Sequence, residues 1–107
     1  MSDDAPAAPQ VRDNAADQRF EVTRDDEVLG FAAYRRAGTL VVFTHTQIDP
    51  AHEGEGLGGL LVRAALDDVR AHERSALPIC PFVKGWIERH PDYQDLVYRQ
   101  PPSRVDD

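Results

Sequence analysis

Cysteine is almost missing from this sequence. Cys80 is the single one among 107 residues, so no internal disulfide can form. A reducing, cytoplasmic setting is the simplest expectation. Lysine is equally scarce: Lys84 stands alone, and the other basic residues are arginines scattered along the chain. Acidic residues exceed basic ones by 19 to 12, a formal charge of −7. With no basic run, the chain lacks the electrostatic footprint of a nucleic-acid binder. The same balance argues against an anionic membrane surface. No window approaches about 18 uninterrupted apolar residues, so no membrane-spanning helix is expected. The first residues, MSDDAPAAPQ, have neither a basic region nor an apolar core and do not read as a secretory signal. The length suits one domain and is far below the roughly 250 residues of a β/α barrel.

Residues 1–17 are poor in apolar side chains. Val11 is their one branched aliphatic residue, against Asp3, Asp4, Asp13 and Asp17. Such a segment buries too little to offset its ordering entropy and is expected to be a disordered tail. Residues 99–107, ending in PPSRVDD, are expected to be a flexible tail. One folded domain over 18–98 remains.

What is present inside that domain has clear periods. Arg19 to Thr23 alternates, with Phe20 and Val22 on one face, and predicts a short strand. Arg24-Asp25-Asp26-Glu27 is a polar turn. Val28 to Arg36 predicts a second strand, weakened by Gly30, and Ala37-Gly38 a hairpin connection. Thr39 to Ile48 is rich in β-branched and aromatic residues and predicts a third strand. From Leu57 to about Arg74 the spacing of Leu57, Leu61, Ala64, Ala65 and Val69 is helical, widened by Val62 and Leu66. Ala76 to Cys80 predicts a fourth strand. Pro81 suits the first turn of a second helix, faced by Val83, Trp86 and Ile87, which Pro91 ends. Asp92 to Val97 suits a further short turn. The expected class is α+β: an antiparallel three-strand meander, a helix, a fourth strand and a helix.

The chemistry concentrates between the third strand and the first helix, in IDPAHEGEGLGG. Gly54, Gly56, Gly58 and Gly59 let the backbone approach a ligand closely. Successive N–H groups at the start of a helix form an anion site, and a pyrophosphate is its natural guest. The plain alternative is a glycine-rich turn without a ligand. No Lys-Ser/Thr pair follows the glycines, so the loop is not a P-loop. The loop follows a meander and lacks G-x-G-x-x-G, so it is not a Rossmann fingerprint.

These residues resemble the acetyl-CoA motif of the GNAT acetyltransferase superfamily. There a strand ending in Val/Ile-x-Pro leads to Arg/Gln-x-x-Gly-x-Gly/Ala and a helix. Ile48-Asp49-Pro50 and Gly56-Leu57-Gly58 match the two parts. Thr44-His45-Thr46, the stretch Pro78 to Val83, and His90-Pro91-Asp92-Tyr93 followed by Leu96-Val97 resemble the short, roughly 90-residue branch of that superfamily. The resemblance spans about residues 18–98. It implies a truncated GNAT fold with a V-shaped cleft between the third and fourth strands. Acetyl-CoA would be the cosubstrate, its pantetheine arm along Thr46, Gln47 and Ile48. Its pyrophosphate would rest on the loop Glu53, Gly54, Glu55, Gly56, Leu57, Gly58 and Gly59.

Two positions depart from the pattern. Glu53 stands where the superfamily has Arg or Gln, and Glu55 where many relatives carry a basic residue. Carboxylates beside a pyrophosphate repel it by about 1 kcal/mol per charge before screening.

The resemblance also places Cys80 opposite the thioester. A thiol there could accept the acetyl group covalently; the alternative is a small core cysteine. His45, on the third strand, is the candidate base for an amine or for Cys80, unless it is a structural histidine. His52 precedes the glycine loop and could contact phosphate or merely water, the second being the plainer reading; His72 is read as solvated on its helix, and His90 as a cap of the second helix. Tyr34, Tyr93 and Tyr98 are candidate acids for the departing thiolate, with no position that matches that role. Phe82 and Trp86 are read as core. His45, His52 and Glu53 do not form a recognised metal spacing, so no metal is expected.

The expected function is transfer of acetyl from acetyl-CoA to a small-molecule amine or a basic peptide, cationic acceptors suiting an acidic surface. A non-catalytic module of the same fold that binds CoA or a partner is the main alternative. A ligand-free structural domain is a weaker third.

Overall fold

A computed structural model describes residues 8–99 of the protein. Five strands form one sheet in the order β1-β2-β3-β4-β5. They are β1 (Gln10–Asn14), β2 (Arg19–Arg24), β3 (Glu27–Ala37), β4 (Leu40–Ile48) and β5 (Ser75–Pro78). β1 to β4 run antiparallel, and β5 joins β4 in parallel. Two helices, α1 (Leu57–Ala71) and α2 (Pro81–Glu88), and three 3₁₀ turns complete the fold. Among the described residues no helix is long and apolar enough to cross a membrane.

The meander follows from its turns. Arg24 pairs with Glu27 across a two-residue loop, and Asp25 and Asp26 both hold positive φ (52° and 68°). That backbone twist matches the twist of the flanking strands, and Asp is among the residues that tolerate it. Ala37 pairs with Leu40 across Gly38-Thr39, where Gly38 alone holds positive φ (62°).

The helical stripe read from the sequence is the buried one. Leu57, Leu61, Val62, Ala65, Leu66 and Val69 of α1 are covered, and the helix lies across all five strands. Each fully buried aliphatic side chain contributes about 1.5–3 kcal/mol. Phe20, Val22, Ala32, Tyr34, Val41 and Phe43 meet it from the sheet, in one continuous core. The C-terminal 3₁₀ turn, Pro91–Leu96, closes that core with Tyr93 and Leu96.

The N-terminal expectation needs correction. Residues 1–7 and 100–107 lie outside the described residues, but Gln10–Asn14 forms the edge strand β1 rather than part of a disordered tail. Polar bonds hold it. Glu21 of β2, 1% exposed, takes bonds from Arg12 (2.9 Å), Asn14 (3.0 Å) and Arg19 (2.7 Å). Tyr34 donates its hydroxyl to Asp13 at 2.6 Å. A composition argument counts apolar residues and misses such pairs, whose partners are remote in sequence.

One irregularity matters most for function. Ala33 pairs with His45, but its neighbour Tyr34 pairs with Phe43, so Thr44 is an extra residue in β4. This bulge inverts the strand's alternation. Val41 and Phe43 face the helices before it, and Thr46 and Ile48 face them after it. His45 and Gln47 turn to the opposite face, where the His45 ring centroid lies 6.0 Å from that of Phe31.

Candidate functional site

β4 and β5 pair from Leu40↔Ser75 to Phe43↔Pro78 and then part. The Phe43 carbonyl marks the fork: it accepts the N–H groups of both Ile79 (3.0 Å) and Cys80 (2.9 Å). β4 runs on to Ile48 while the other chain segment turns into α2. The V-shaped opening expected from the resemblance is therefore present.

A cavity of about 410 Å³ lies in this region. Thr46 and Ile48 line it from β4, and Glu53, Gly54 and Gly56 from the loop. Leu57, Gly58 and Gly59 line it from the first turn of α1, and His52 and Phe82 complete it. Of the residues expected to hold the donor, Gln47 and Glu55 stand apart from this lining. The bulge at Thr44 turns Gln47 to the other face, and Glu55 is engaged elsewhere.

The loop's glycines bring backbone rather than side chains to the cavity. Asp49 accepts the N–H of Ala51 at 2.9 Å and its own N–H reaches the Leu29 carbonyl at 2.8 Å, fixing the exit from β4. Gly54 (φ +88°) and Gly56 (φ +78°) hold left-handed backbone that side chains strain to adopt. Gly56 caps α1 without a side-chain bond. The Leu60 N–H reaches back to the Gly56 carbonyl at 3.2 Å. The N–H groups before it have no acceptor within the helix and carry the positive end of its dipole.

Electrostatics around the loop differ from the expectation in one respect. Glu55 bonds His52 Nδ1 at 3.0 Å and lies 3.4 Å from Arg24 of β2. The His52 bond, reinforced by Arg24, holds the Glu55 carboxyl below the usual carboxylate range. Its charge is thus offset locally rather than aimed at the cavity. Glu53 faces the cavity, and among the described residues no ion pair holds it.

Cys80 is 4% exposed and caps α2. Its Sγ lies 3.4 Å from Thr46 Oγ1, one side chain behind the cavity wall. His45 is not across the cleft from it. The same bulge sends the imidazole to the far face, where Nε2 meets Gln47 Oε1 at 3.4 Å. A direct His45–Cys80 proton transfer is therefore excluded by the register.

The tyrosines are occupied elsewhere. Tyr34 is in the core, and burial with the Asp13 bond pushes its hydroxyl up to about 12. Tyr93 donates to Asp67 at 2.7 Å, and that bond also raises its pKa. Tyr98 is exposed and does not line the cavity. His90 caps α2 as expected: its Nδ1 is 2.6 Å from the Trp86 carbonyl and its ring stacks on Trp86 at 3.7 Å. Among the described residues no cluster of three metal-ligating side chains occurs.

Two lining residues depart from the plainer reading of the sequence. Phe82 is 43% exposed and lies over the start of α1 instead of in the core. Val83, Trp86 and Ile87 carry the buried face of α2, and Phe82 falls at the edge of that face, four residues before Trp86, so helical spacing alone leaves it undecided. His52 lines the cavity rather than facing water alone.

The comparisons agree with this geometry. The family described as GCN5-related N-acetyl-transferase matches over residues 19–96. A GCN5-like candidate N-acetyltransferase from Staphylococcus aureus, solved by NMR, is similar in fold: 21% identity, TM-score 0.66, covering 89% of this chain and 93% of that one. A candidate acetyltransferase of the GNAT family from Desulfovibrio desulfuricans is similar over 56% of this chain and 41% of its own, with 22% identity and a TM-score of 0.50. Among curated proteins no sequence matches. With a sheet forked after Phe43, a glycine turn feeding a helix, and a family match over nearly all of the described core, this chain belongs to the GCN5-related N-acetyltransferase family.

Proposed function

We propose that the protein binds acetyl-CoA in the fork between β4 and β5 and transfers the acetyl group to an amine. The observation that carries this reading is the open edge of β4 beyond Phe43, running into the unpaired N–H groups of α1 along one cavity. Backbone groups at Thr46 to Ile48 suit an amide-bearing pantetheine arm. The N–H groups from Gly54 to Gly59 suit a pyrophosphate.

Acetyl-CoA supplies an acyl group activated as a thioester. The protein's contribution is position and polarisation. β4 backbone donors near the fork would stabilise charge on the carbonyl oxygen, a contribution that is large where water is excluded. Direct attack by a neutral amine is the preferred route, because His45 is on the wrong face to activate the Cys80 thiol. The contact between Thr46 and Cys80 favours a second route, in which Cys80 takes the acetyl group first. An acceptor that carries positive charge elsewhere, such as a polyamine-like molecule or a basic peptide, suits a chain of charge −7.

Calorimetric titration of the full chain with acetyl-CoA tests the reading. Saturable binding is expected for the wild type and its loss for a folded Gly56→Asp variant, in which bulk and charge enter the loop. Wild-type protein that binds nothing, or a folded variant with unchanged affinity, would overturn it. Release of free CoA thiol with an amine present separates an enzyme from a module that only binds.

A further inference from the structure

His52 sits where the loop meets the cavity, on the 3₁₀ turn Pro50–His52, with one ring nitrogen already committed. Nδ1 is 3.0 Å from Glu55 Oε2. An ionised carboxylate only accepts hydrogen bonds, so Nδ1 must carry the hydrogen. Glu55 is kept ionised by this bond and by Arg24. A neutral imidazole has one N–H, and here Glu55 takes it. Nε2 is then a bare acceptor, and a phosphate oxygen is an acceptor too. The two can bond only if the ring gains a second proton.

We infer that His52 is a proton-linked phosphate contact, one that grips a phosphate of the acyl donor only as the imidazolium, because Glu55 commits the Nδ1 hydrogen. This rests on the acetyl-CoA reading above and adds a recognition residue and a pH dependence to it. The charged groups around the ring are Glu55 and Glu53 of the same loop, Asp49 at the end of β4 and Arg24 of β2. Arg24 is paired with Glu55, and Asp49 accepts the Ala51 N–H. Glu53 faces the same cavity as His52 and would repel a phosphate, so the cation at position 52 offsets it. Histidine is the side chain that changes charge between about pH 5 and 8. An anion bound at Nε2 favours the protonated ring, so binding draws a proton from solvent. By linkage, affinity is highest at low pH and falls as pH rises.

The test is titration of the full-length protein with CoA at about pH 7 in two buffers of different ionisation heat, repeated between about pH 6 and 8. A fractional proton taken up per CoA bound is expected in the wild type. His52→Gln should bind roughly threefold to tenfold more weakly at the acid end and lose that uptake. Glu55→Gln should lose part of it, because Nδ1 is then no longer obliged to donate. Nitrogen NMR of the His52 ring should show Nε2 carrying a hydrogen in the CoA complex. Dephospho-CoA separates the sources: retained uptake assigns the pyrophosphate, and lost uptake the 3′-phosphate. Equal affinity and equal proton uptake in folded His52→Gln would overturn the inference while leaving the donor site intact. Wild-type protein that fails to bind CoA at any of these pH values would remove the donor reading itself, and the inference with it.

Discussion

Phe82 lies directly over Gly58: a Cβ built on that glycine would come within 2.7 Å of Phe82 Cζ. The absence of a side chain at Gly58 thus makes room for an aromatic ring of α2. α1 and α2 meet at the cavity through this contact, and the ring forms part of its wall.

Gly58→Ala should therefore separate stability from binding. Glycine to alanine in a helix gains up to about 1 kcal/mol, and the half-exposed ring can move aside. Denaturant unfolding should show equal or slightly higher stability. Calorimetry should show weaker CoA binding, because the displaced ring reshapes the cavity wall. Unchanged affinity would mean that Phe82 has no part in the site.

Glu53 is the carboxylate that faces the cavity, whereas Glu55 is spent on His52 and Arg24. Glu53→Gln should tighten CoA binding roughly fivefold at low salt, the effect of about 1 kcal/mol between unit charges near 4 Å in water. The gain should shrink as salt shortens the screening length to about 8 Å at physiological ionic strength. A salt-independent effect would assign the change to shape instead of charge.

Cys80→Ala decides between the two routes of transfer. With Cys80 buried and Thr46 its polar neighbour, direct attack predicts a variant that binds acetyl-CoA and still acetylates an amine. Mass spectrometry of the wild type after incubation with acetyl-CoA alone should then find no hydroxylamine-sensitive adduct. Binding retained with transfer lost, together with such an adduct in the wild type, would assign the acyl relay to Cys80.

The attachment of β1 should be sensitive to acid. Burial pushes the Glu21 carboxyl up, but bonds from Asn14, Arg19 and Arg12 outweigh it and hold the group below its usual value of 4.5. A carboxyl depressed in the folded state adds stability at neutral pH, and that stability is lost as pH falls through the depressed value. Glu21→Gln should cost about 1–3 kcal/mol at pH 7 and flatten the acid limb of the stability profile. Amide exchange should be fastest in β1 as the wild type is acidified. Tyr34 acts at the other end: its hydroxyl is raised to about 12 from 10.0, so its contribution is complete below pH 10 and lost as pH rises through 12.

Local pattern carried much of this protein. The two-residue period of Arg19–Thr23 and Val28–Arg36, the helical spacing from Leu57 and the proline stops needed only neighbours along the chain, and each became the expected element with shifts of a few residues at the ends. The glycine loop was legible because positive φ at Gly54 and Gly56 is a property of single residues. What tertiary structure decided depends on partners far apart in sequence. The extra residue at Thr44 is defined only by pairing with β3, and it alone puts Thr46 at the cavity and His45 behind the sheet. β1 exists because Glu21 and Tyr34 gather its polar side chains. Glu55 stands apart from the cavity because Arg24, 31 residues earlier, and His52 hold it. Periodicity reports which side of an ideal strand or helix a residue occupies; bulges, edge pairing and long-range ion pairs set where that side ends up.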